Sequence, residues 1–343
     1  MTEIKPRRMR LEAASACQLK CPSCPTASGK IKKTIGTGFL KFRDFQKIVM
    51  ENPGVRHIEL SNWGEMFLNP ELMEIMKYGH ERGIILTAEN GVNLNNVSDE
   101  VLEALVKYKF RSMTCSIDGA SQDTYGKYRV RGHFDKVMEH LEKINKFKTL
   151  HNSKYPLLTW QYIVFGHNEN EIAEARGLAK ELGMGFLVKL SWDSSFSPIK
   201  NPDSVRKQIG HGAVSREEFR HKKRKSYRQK FICSQLWTKP QVNWDGRILG
   251  CCVNTWGDFG NAFESGLMRS LNSERMNYAR EMLLGRKPEG ADIPCTTCHF
   301  YKEMKEDGSF LTMKDIRTLD WLEWFKNKFS MRLKYYPLLM RWL

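Results

Sequence analysis

Short runs of apolar and β-branched residues alternate with amphipathic stretches along the chain as far as Leu190. Six of these runs predict β-strands, and five of the amphipathic stretches predict helices. The strands are expected at 8–16, 57–62, 84–90, 112–118, 158–165 and 185–190, and the helices at 42–51, 70–82, 99–108, 133–148 and 169–183. This alternation is typical of βαβ units and a parallel sheet. Because a complete (β/α)8 barrel needs two more units, the count favours a partial barrel or an open sheet.

The composition argues against several classes of protein. No run of about 18 apolar residues is present, which argues against a membrane-spanning helix. No apolar stretch follows the basic residues near Met1, which argues against a secretory signal. A cytoplasmic location is therefore expected, where nine cysteines, most of them clustered, favour metal binding over disulfides. The net charge of +16 indicates an anionic partner: a phosphorylated substrate, nucleic acid or an anionic membrane surface.

Changes in composition divide the chain into four expected segments. Residues 1–195 carry the βα units, 196–230 form a basic linker or helix, 231–310 form a small cysteine-rich domain, and 311–343 form an aromatic, basic tail. The run 216–230 has eight Lys or Arg against two Glu and is interpreted as a solvated linker or helix face. Asp245-Gly246, between two apolar runs, predicts a β-hairpin with a type I′ turn. The tail suits either a membrane interface, as a peripheral contact, or a helix packed on the barrel.

Three cysteines, Cys17, Cys21 and Cys24, form a C-x3-C-x2-C motif at the end of the first predicted strand. Three close thiolates can bind three irons of a [4Fe–4S] cluster and leave the fourth iron free for another ligand. A tetrahedral zinc site usually has four protein ligands, and no fourth His or Cys lies nearby in the sequence. Zinc completed by a distant residue is the alternative.

With this motif after the first strand, the sequence resembles the radical SAM enzymes. The resemblance implies a partial (β/α)6 barrel of the TIM type, in which the free iron binds S-adenosylmethionine (SAM). One electron from the cluster then cleaves SAM to a 5′-deoxyadenosyl radical, which abstracts a hydrogen atom from the substrate. The cofactors implied are SAM and the [4Fe–4S] cluster that binds it. The partner implied is a reductant such as flavodoxin or ferredoxin.

Polar elements that follow the other predicted strands resemble the SAM-binding segments of this family. Gly64 and Glu65 match the family's Gly-Gly-Glu-Pro element directly, whereas tryptophan and methionine replace its other two residues. An arginine often binds the SAM carboxylate, and both Arg129 and Arg131 are candidates, with Arg129 the one assigned. The residues that the resemblance assigns to SAM are Gly64, Glu65, Asn90, Ser116, Asp118 and Arg129.

The later cysteines resemble the SPASM domain, or its shorter twitch form, which binds auxiliary clusters in this family. The resemblance implies one auxiliary [4Fe–4S] cluster, with zinc as the alternative, and its ligands would be Cys233, Cys251, Cys295 and Cys298. Cys252 is left over: it is either a buried thiol, the ligand in place of Cys251, or a catalytic hydrogen-atom donor, as in some radical epimerases. Cys115 lies within the fourth predicted strand and is expected in the core.

The resemblance favours an oxidoreductase that abstracts a hydrogen atom from a small hydroxylated substrate, such as a sugar, a cyclitol or a nucleotide- or lipid-linked sugar. The auxiliary cluster would then accept an electron, which makes the reaction a dehydrogenation. One alternative is an epimerase with Cys252 as hydrogen donor. Another is a peptide maturase, disfavoured because only 16 residues precede Cys17. An RNA-modifying or RNA-binding protein and a plain iron–sulfur electron carrier are further alternatives, although nucleic acid is not expected as a partner.

The substrate cavity is expected to be lined near the carboxyl ends of the predicted strands. Because side chains alternate between the two faces of a strand, about half of the candidates are expected to face inward. The candidates are Glu12, Ser61, Glu89, Gln161, Tyr162, Lys189, Trp192 and Asp193. Their polar and aromatic character suits a polar or phosphorylated small molecule.

Overall fold

An eight-stranded mixed sheet organises the computed structural model, which describes residues 3–209 and 212–329. The strands are β1 (Arg8–Leu11), β2 (His57–Glu59), β3 (Ile85–Val92), β4 (Ser112–Ser116), β5 (Leu157–Val164), β6 (Gly185–Leu190), β7 (Gln241–Val242) and β8 (Ile248–Gly250). Their order is β6-β5-β4-β3-β2-β1-β7-β8. Strands β1 to β6 pair in parallel with their sequence neighbours, which confirms the expected partial (β/α)6 barrel.

Helices follow the strands and cover the outside of the sheet. The first eight are α1 (Lys30–Thr34), α2 (Phe42–Glu51), α3 (Leu72–Glu81), α4 (Asp99–Lys107), α5 (Gln122–Tyr128), α6 (Phe134–Leu150), α7 (Ile172–Glu181) and α8 (Pro202–Ile209). The next eight are α9 (Arg216–Lys223), α10 (Gln229–Cys233), α11 (Gln235–Thr238), α12 (Ala262–Ser265), α13 (Leu267–Leu271), α14 (Glu274–Leu283), α15 (His299–Asp307) and α16 (Met313–Phe329). The five predicted helices correspond to α2, α3, α4, α6 and α7. Short 3-10 helices occupy Met66–Leu68, Glu169–Glu171 and Pro294–Thr297.

The main core lies between the sheet and these helices. Helix α2 shows the pattern: it buries Phe45, Ile48 and Val49, which are spaced three and four residues apart and so share one face. Trp160 on β5 is among the largest side chains that are fully buried. Its Nε1 donates a hydrogen bond to the carbonyl oxygen of Ile117 at 2.7 Å, so that burial leaves no polar atom of this ring without a partner.

The predicted hairpin exists, and it extends the main sheet. Strand β7 pairs in parallel with β1, and Arg10 lies opposite Gln241 in that register. The type I′ turn is wrong, because of the two central residues only Gly246 has a positive φ, at 89°. The carboxylate of Asp245 accepts hydrogen bonds from Arg247 N and Asn243 Nδ2, which favours a turn with ordinary backbone angles at the aspartate. The register between β7 and β8 shifts between Gln241 and Val242.

Helix α16 packs on the rest of the molecule over the part that the structure describes. Ile316 and Leu319 are buried, whereas Trp321 and Trp324 are exposed. Residues 330–343, which contain Tyr335, Tyr336 and Trp342 of the predicted tail, lie outside the described residues. Among the residues described, no helix combines the length and the apolar character that crossing a membrane requires. The helix-packing alternative therefore fits the described part.

Asn69 ties the loops that follow β1 to those around α2. Its buried Nδ2 donates hydrogen bonds to the carbonyl oxygens of Ala13 at 2.8 Å and Leu40 at 2.9 Å. We expect Asn69→Ala to lower the free energy of unfolding by about 2 kcal/mol, because two buried acceptors lose a donor. The measurement is urea denaturation at matched iron content. Asn170→Ala, the same change at an exposed position, is the control, and an equal effect of both would contradict the assignment.

Candidate active site

A cavity of about 310 Å³ lies at the carboxyl ends of the parallel strands. Volumes of this order are typical of small-ligand sites. Cys17, Cys21 and Cys24 line it, and so does Cys252 from the segment after β8. The three-cysteine motif and part of the later cysteine group therefore meet at one cavity, although more than 200 residues separate them in the sequence.

The three-cysteine loop is held in place by the element after β2. Glu65 N donates a hydrogen bond to the carbonyl oxygen of Ala16 at 2.7 Å. Gly64 packs so closely that a Cβ atom at this position would lie 2.1 Å from the carbonyl oxygen of Ala14. Only glycine permits this approach, because backbone atoms on the other side cannot move aside cheaply. The match of Gly64 to the family element thus has a packing reason in this structure.

The cysteine thiols lie in surroundings that favour iron over a free thiolate. Burial raises the pKa of Cys17 to about 12, with a contribution from the charge of Glu65, and burial also raises the pKa of Cys21. N–H groups point at two of the sulfurs: Asn93 Nδ2 lies 3.8 Å from Cys17 Sγ, and Arg129 Nη1 lies 3.7 Å from Cys21 Sγ. Such donors stabilise a sulfur that carries negative charge when it binds iron.

Glu65 lines the cavity as a buried carboxyl group. Its oxygens accept hydrogen bonds from Asn93 N at 2.5 Å, Asn93 Nδ2 at 2.6 Å and Phe67 N at 3.2 Å. Burial nevertheless raises the pKa of Glu65 to about 8. A carboxyl group that is costly to ionise fits a site for a cationic group such as an amine, because the cation would favour its charged form.

Sequence reasoning missed the role of Glu12, which was a candidate for lining the cavity. Its carboxylate accepts hydrogen bonds from Trp63 N at 2.9 Å and Gly64 N at 3.1 Å, and it does not line the cavity. Burial raises the pKa of Glu12 to about 7, against the lowering effect of those hydrogen bonds. Glu12 therefore fixes the backbone around Gly64 from behind. The sequence feature that could have indicated this role is an acidic residue within the first predicted apolar strand.

Arg129 and Asp118 form a close ion pair beside the cysteine loop. Arg129 Nε and Nη2 both lie 2.6 Å from Asp118 Oδ2. Arg129 lines the cavity, whereas Asp118 is fully buried and does not. Arg131 is exposed, so Arg129 is the arginine that the structure brings to the site. The geometry makes Asp118 a positioning residue for Arg129.

Asn90 and Ser116 both line the cavity, at the ends of β3 and β4. Asn90 Nδ2 donates to the carbonyl oxygen of Asn62 at 3.0 Å. Ser116 Oγ accepts a hydrogen bond from Gln161 Nε2 at 3.3 Å. Both side chains are thus oriented by residues of neighbouring strands.

The eight candidates for cavity lining divide evenly, as strand alternation predicts. Those that line the cavity are Glu89, Gln161, Lys189 and Trp192, and those that do not are Glu12, Ser61, Tyr162 and Asp193. Tyr162 shows the outward-facing case, since its hydroxyl donates to the carbonyl oxygen of Asn168 at 2.7 Å. Trp192 stacks on Trp63, with ring centroids 6.4 Å apart. The two indoles form an aromatic wall.

The remaining cysteines of the later group are neighbours behind the cavity. Cys233 ends α10, and Cys251 follows β8. Cys295 lies in the 3-10 helix Pro294–Thr297, and Cys298 follows that helix directly before α15. Burial raises the pKa of Cys233 and of Cys251, and the charges of the other cysteines raise both pKa values further, as expected for nearby thiols. Within the described part of the chain, no three His, Cys, Asp or Glu side chains converge closely enough to hold a single metal ion.

Cys251 and Cys252 face different surroundings. Cys251 is buried among the other cysteines, whereas Cys252 is half-buried and lines the cavity. The backbone of Cys252 is fixed at two points: its N–H donates to Gln235 Oε1 at 2.8 Å, and its carbonyl oxygen accepts from Asn62 Nδ2 at 3.1 Å. Cys115 is buried in the core, as expected.

The interpretation of 216–230 as a solvated face is wrong for two of its arginines. Arg216 and Arg228 line the cavity, although Lys223 and Arg224 of the same run are exposed. Arg216 begins α9, where Nε donates to the carbonyl oxygen of Leu190 at 3.3 Å. This contact turns its side chain inward, which charge counting along the sequence could not reveal.

Two family profiles match this chain. The radical SAM superfamily matches residues 11–179, and the iron–sulfur cluster-binding domain called SPASM matches residues 233–299. The chain belongs to the radical SAM superfamily and carries a SPASM-type domain. The expected cofactors, SAM and iron–sulfur clusters, are confirmed with it. The thiol set and the raised pKa of buried Glu65 fit these groups.

Similar solved structures support the same fold. Streptococcus suis SuiB bound to S-adenosylmethionine is 16% identical, with a TM-score of 0.61, and the match covers 87% of this chain and 71% of that one. SuiB bound to precursor peptide SuiA is 14% identical, with a TM-score of 0.59, over 87% and 70% of the two chains. No curated protein matches this chain significantly in sequence.

The close packing of Gly64 predicts the effect of adding one methyl group. We expect Gly64→Ala to displace the Cys17 loop and to lower iron content from about eight to about four irons per chain, because one [4Fe–4S] cluster is lost. Anaerobic reconstitution followed by iron analysis measures this. Gly54→Ala is the control, since a Cβ there meets no atom within 4 Å. Full iron in both variants would show that the loop tolerates the methyl group.

The buried carboxyl of Glu12 predicts a pH dependence of stability. Its pKa rises from 4.5 unfolded to about 7 folded, so the folded state binds the proton more tightly. Stability from this group is present below pH 4.5 and is lost as pH rises through about 7, by an amount on the order of 3 kcal/mol. Glu12→Gln keeps an acceptor for Trp63 and Gly64 and removes this loss. Unfolding curves of wild type and variant should therefore diverge with rising pH, and parallel curves would refute the assignment.

Proposed function

We propose that this enzyme abstracts a hydrogen atom from a carbon of a small polar substrate and returns one from Cys252 on the other face. The reaction is then an epimerisation. The observation that carries this proposal is that Cys252 lines the same cavity as the three-cysteine motif, whereas its neighbour Cys251 is buried and does not line it. Asn62 and Gln235 hold the backbone of Cys252 at the cavity wall, which fixes the point from which its side chain lines the cavity.

The residues that would hold the cofactors follow from their positions. We assign the SAM-binding cluster to Cys17, Cys21 and Cys24, and the auxiliary cluster to Cys233, Cys251, Cys295 and Cys298. Glu65 and Arg129 offer opposite charges for the amino and carboxylate groups of SAM, with Asn90 and Ser116 as neutral contacts and Gly64 as the close-packed backbone. When bound, SAM and its cluster supply a radical that abstracts hydrogen. The chain's own residues then decide what happens to the substrate.

The proposed step on Cys252 balances in atoms and electrons. After abstraction, the substrate carbon holds one unpaired electron. The S–H bond of Cys252 breaks homolytically, a new C–H bond forms, and a thiyl radical remains on the sulfur. One electron from a low-potential reductant such as flavodoxin or ferredoxin, and one proton from solvent, restore the thiol. The wall of Trp63 and Trp192 would limit access of water to the radical.

Dehydrogenation of a carbinol is the second candidate, and one observation favours it. Cys251, adjacent to Cys252, belongs to the auxiliary group, so an electron leaving the substrate would have a short path toward that group. In this reaction the carbon radical loses one electron and the hydroxyl loses one proton, which leaves a carbonyl. Cys252 would then have no part in the chemistry, and this difference separates the two reactions.

A peptide substrate is a further outcome that the test must allow. The structure of SuiB bound to precursor peptide SuiA shows that protein with a peptide. The present cavity is lined by amide, carboxyl and hydroxyl groups at the strand ends, among them Glu89, Asn90 and Gln161. These groups match the hydroxyls of a sugar or cyclitol, which is why we place small hydroxylated molecules first.

Cys252→Ser provides the discriminating experiment. We expect the variant to bind its clusters and to cleave SAM, and to lose inverted product by at least about a hundredfold, because a hydroxyl O–H is too strong to donate a hydrogen atom to a carbon radical. The assay is anaerobic turnover in D2O with a panel of sugars, cyclitols, their phosphates and peptides. Wild type should place one deuterium on the inverted carbon, since the thiol hydrogen exchanges with solvent.

Cys115→Ser is the matched control, because it makes the same change at a buried cysteine outside the cavity. It should keep both SAM cleavage and product. A product two hydrogens lighter than the substrate, formed equally by wild type and Cys252→Ser, would establish dehydrogenation instead. Turnover of peptides alone would establish a maturase.

A further inference from the structure

Three basic side chains meet in the cavity from different parts of the chain. Lys189 comes from β6, Arg216 from the start of α9 and Arg228 from the residue before α10. Burial lowers the pKa of Lys189 well below its usual value, and the charges of Arg228 and Arg216 lower it further. The three groups are therefore close enough to repel one another.

Two other basic residues of the cavity already have a carboxylate partner, and a third, Arg10, donates to Gln241 and Ser61. Arg129 is paired with Asp118 at 2.6 Å. Lys239 lies 3.5 Å from Glu323. In contrast, Lys189 and Arg216 have no carboxylate within 4 Å in the part of the chain that the structure describes, and the polar contact of Arg216 Nε is a backbone carbonyl. Positive charges gathered in a cavity without matching carboxylates are costly unless a ligand brings the negative charge.

We propose that Lys189, Arg216 and Arg228 bind a phosphate or diphosphate group of the substrate. This inference rests on the proposed function for the identity of the cavity as the reaction site. A dianion suits three cations better than a single carboxylate does, and the forked guanidinium groups match the geometry of phosphate oxygens. The substrate is thus a phosphorylated or nucleotide-linked hydroxylated molecule, anchored by its anionic group while a C–H bond elsewhere is presented to the radical.

The aromatic contacts of the two arginines support a role in positioning a ligand. Arg216 lies over the ring of Tyr227, 5.1 Å from its centroid, and Arg228 lies over Phe231 at 4.9 Å. Stacking on an aromatic face fixes the plane of a guanidinium group and, with it, the direction in which its N–H groups point. The arrangement is pre-organised in the sense that little side-chain entropy remains to be lost on binding.

Inorganic pyrophosphate is the probe for this site. Isothermal titration calorimetry on the anaerobically reconstituted protein should detect binding that weakens at least about tenfold in Lys189→Gln, Arg216→Gln or Arg228→Gln, because each removes one charge-assisted contact. Lys223→Gln is the control, since it removes the same charge from an exposed position of α9. Arg228→Lys keeps the charge but loses the guanidinium fork, so it should weaken binding less than Arg228→Gln does, and this graded effect separates loss of contact from loss of fold.

Parallel titrations with SAM separate this site from the cofactor site. The three variants should bind SAM as wild type does, because Arg129 is the residue placed for its carboxylate. Equal loss of SAM and pyrophosphate binding would overturn the proposal, as would wild type that binds no pyrophosphate or a control that weakens as much as the variants. If only the cavity variants lose pyrophosphate binding, the phosphate site is supported even when no substrate is turned over. The test of the phosphate site is therefore independent of the test of the proposed reaction.

The source of the phosphate is distinguished by competition. A hexose monophosphate that displaces pyrophosphate supports a sugar phosphate substrate, and a nucleoside diphosphate hexose that does so supports a nucleotide-linked one. If neither displaces pyrophosphate, the assignment of the site to a substrate phosphate is wrong.

Discussion

Strand β1 connects the two halves of the site, and most of the structure depends on its pairing. It lies between β2 and β7, so one strand holds both the barrel and the hairpin that precedes Cys251. Arg10 stabilises the pairing of β1 with its neighbours. Its Nε donates to Gln241 Oε1 at 2.8 Å and its Nη2 to the carbonyl oxygen of Ser61 at 2.9 Å. The three-cysteine loop leaves directly from the end of β1. Any shift in this strand would therefore change the separation of the two cysteine groups.

Local patterns predicted the βα units and the two cysteine groups because both are properties of short stretches of sequence. Period-two and period-3.6 apolar patterns determine strands and helices, and cysteine spacing determines which thiols can share a cluster. The junction between β1 and β7 was not predictable in this way, since its partners lie 231 residues apart. The type I′ turn failed for a different reason: a local contact between the Asp245 carboxylate and the backbone N–H of Arg247 favours another turn.

The second limit on prediction from sequence was the direction in which side chains point. A run with eight basic residues is typical of a solvated surface, yet tertiary contacts turn Arg216 and Arg228 inward. Likewise, Asp118 and Glu12 stood among residues expected at the cavity, and the structure places both behind it. Each holds a neighbour that does reach the cavity, Arg129 in one case and the backbone of Gly64 in the other. Sequence position located the right region, and packing decided which residue faces the ligand.

Helix α16 is translated after every cysteine of the site, so the cavity is completed late in synthesis. Leu319, Leu322 and Glu323 line the cavity, and Glu323 pairs with Lys239 just before β7. All seven cysteines assigned to clusters are translated before this helix. The cysteine loops can therefore be folded while one wall of the cavity has yet to leave the ribosome. Until this helix docks, that side of the cavity is open toward thiols that the finished protein partly encloses.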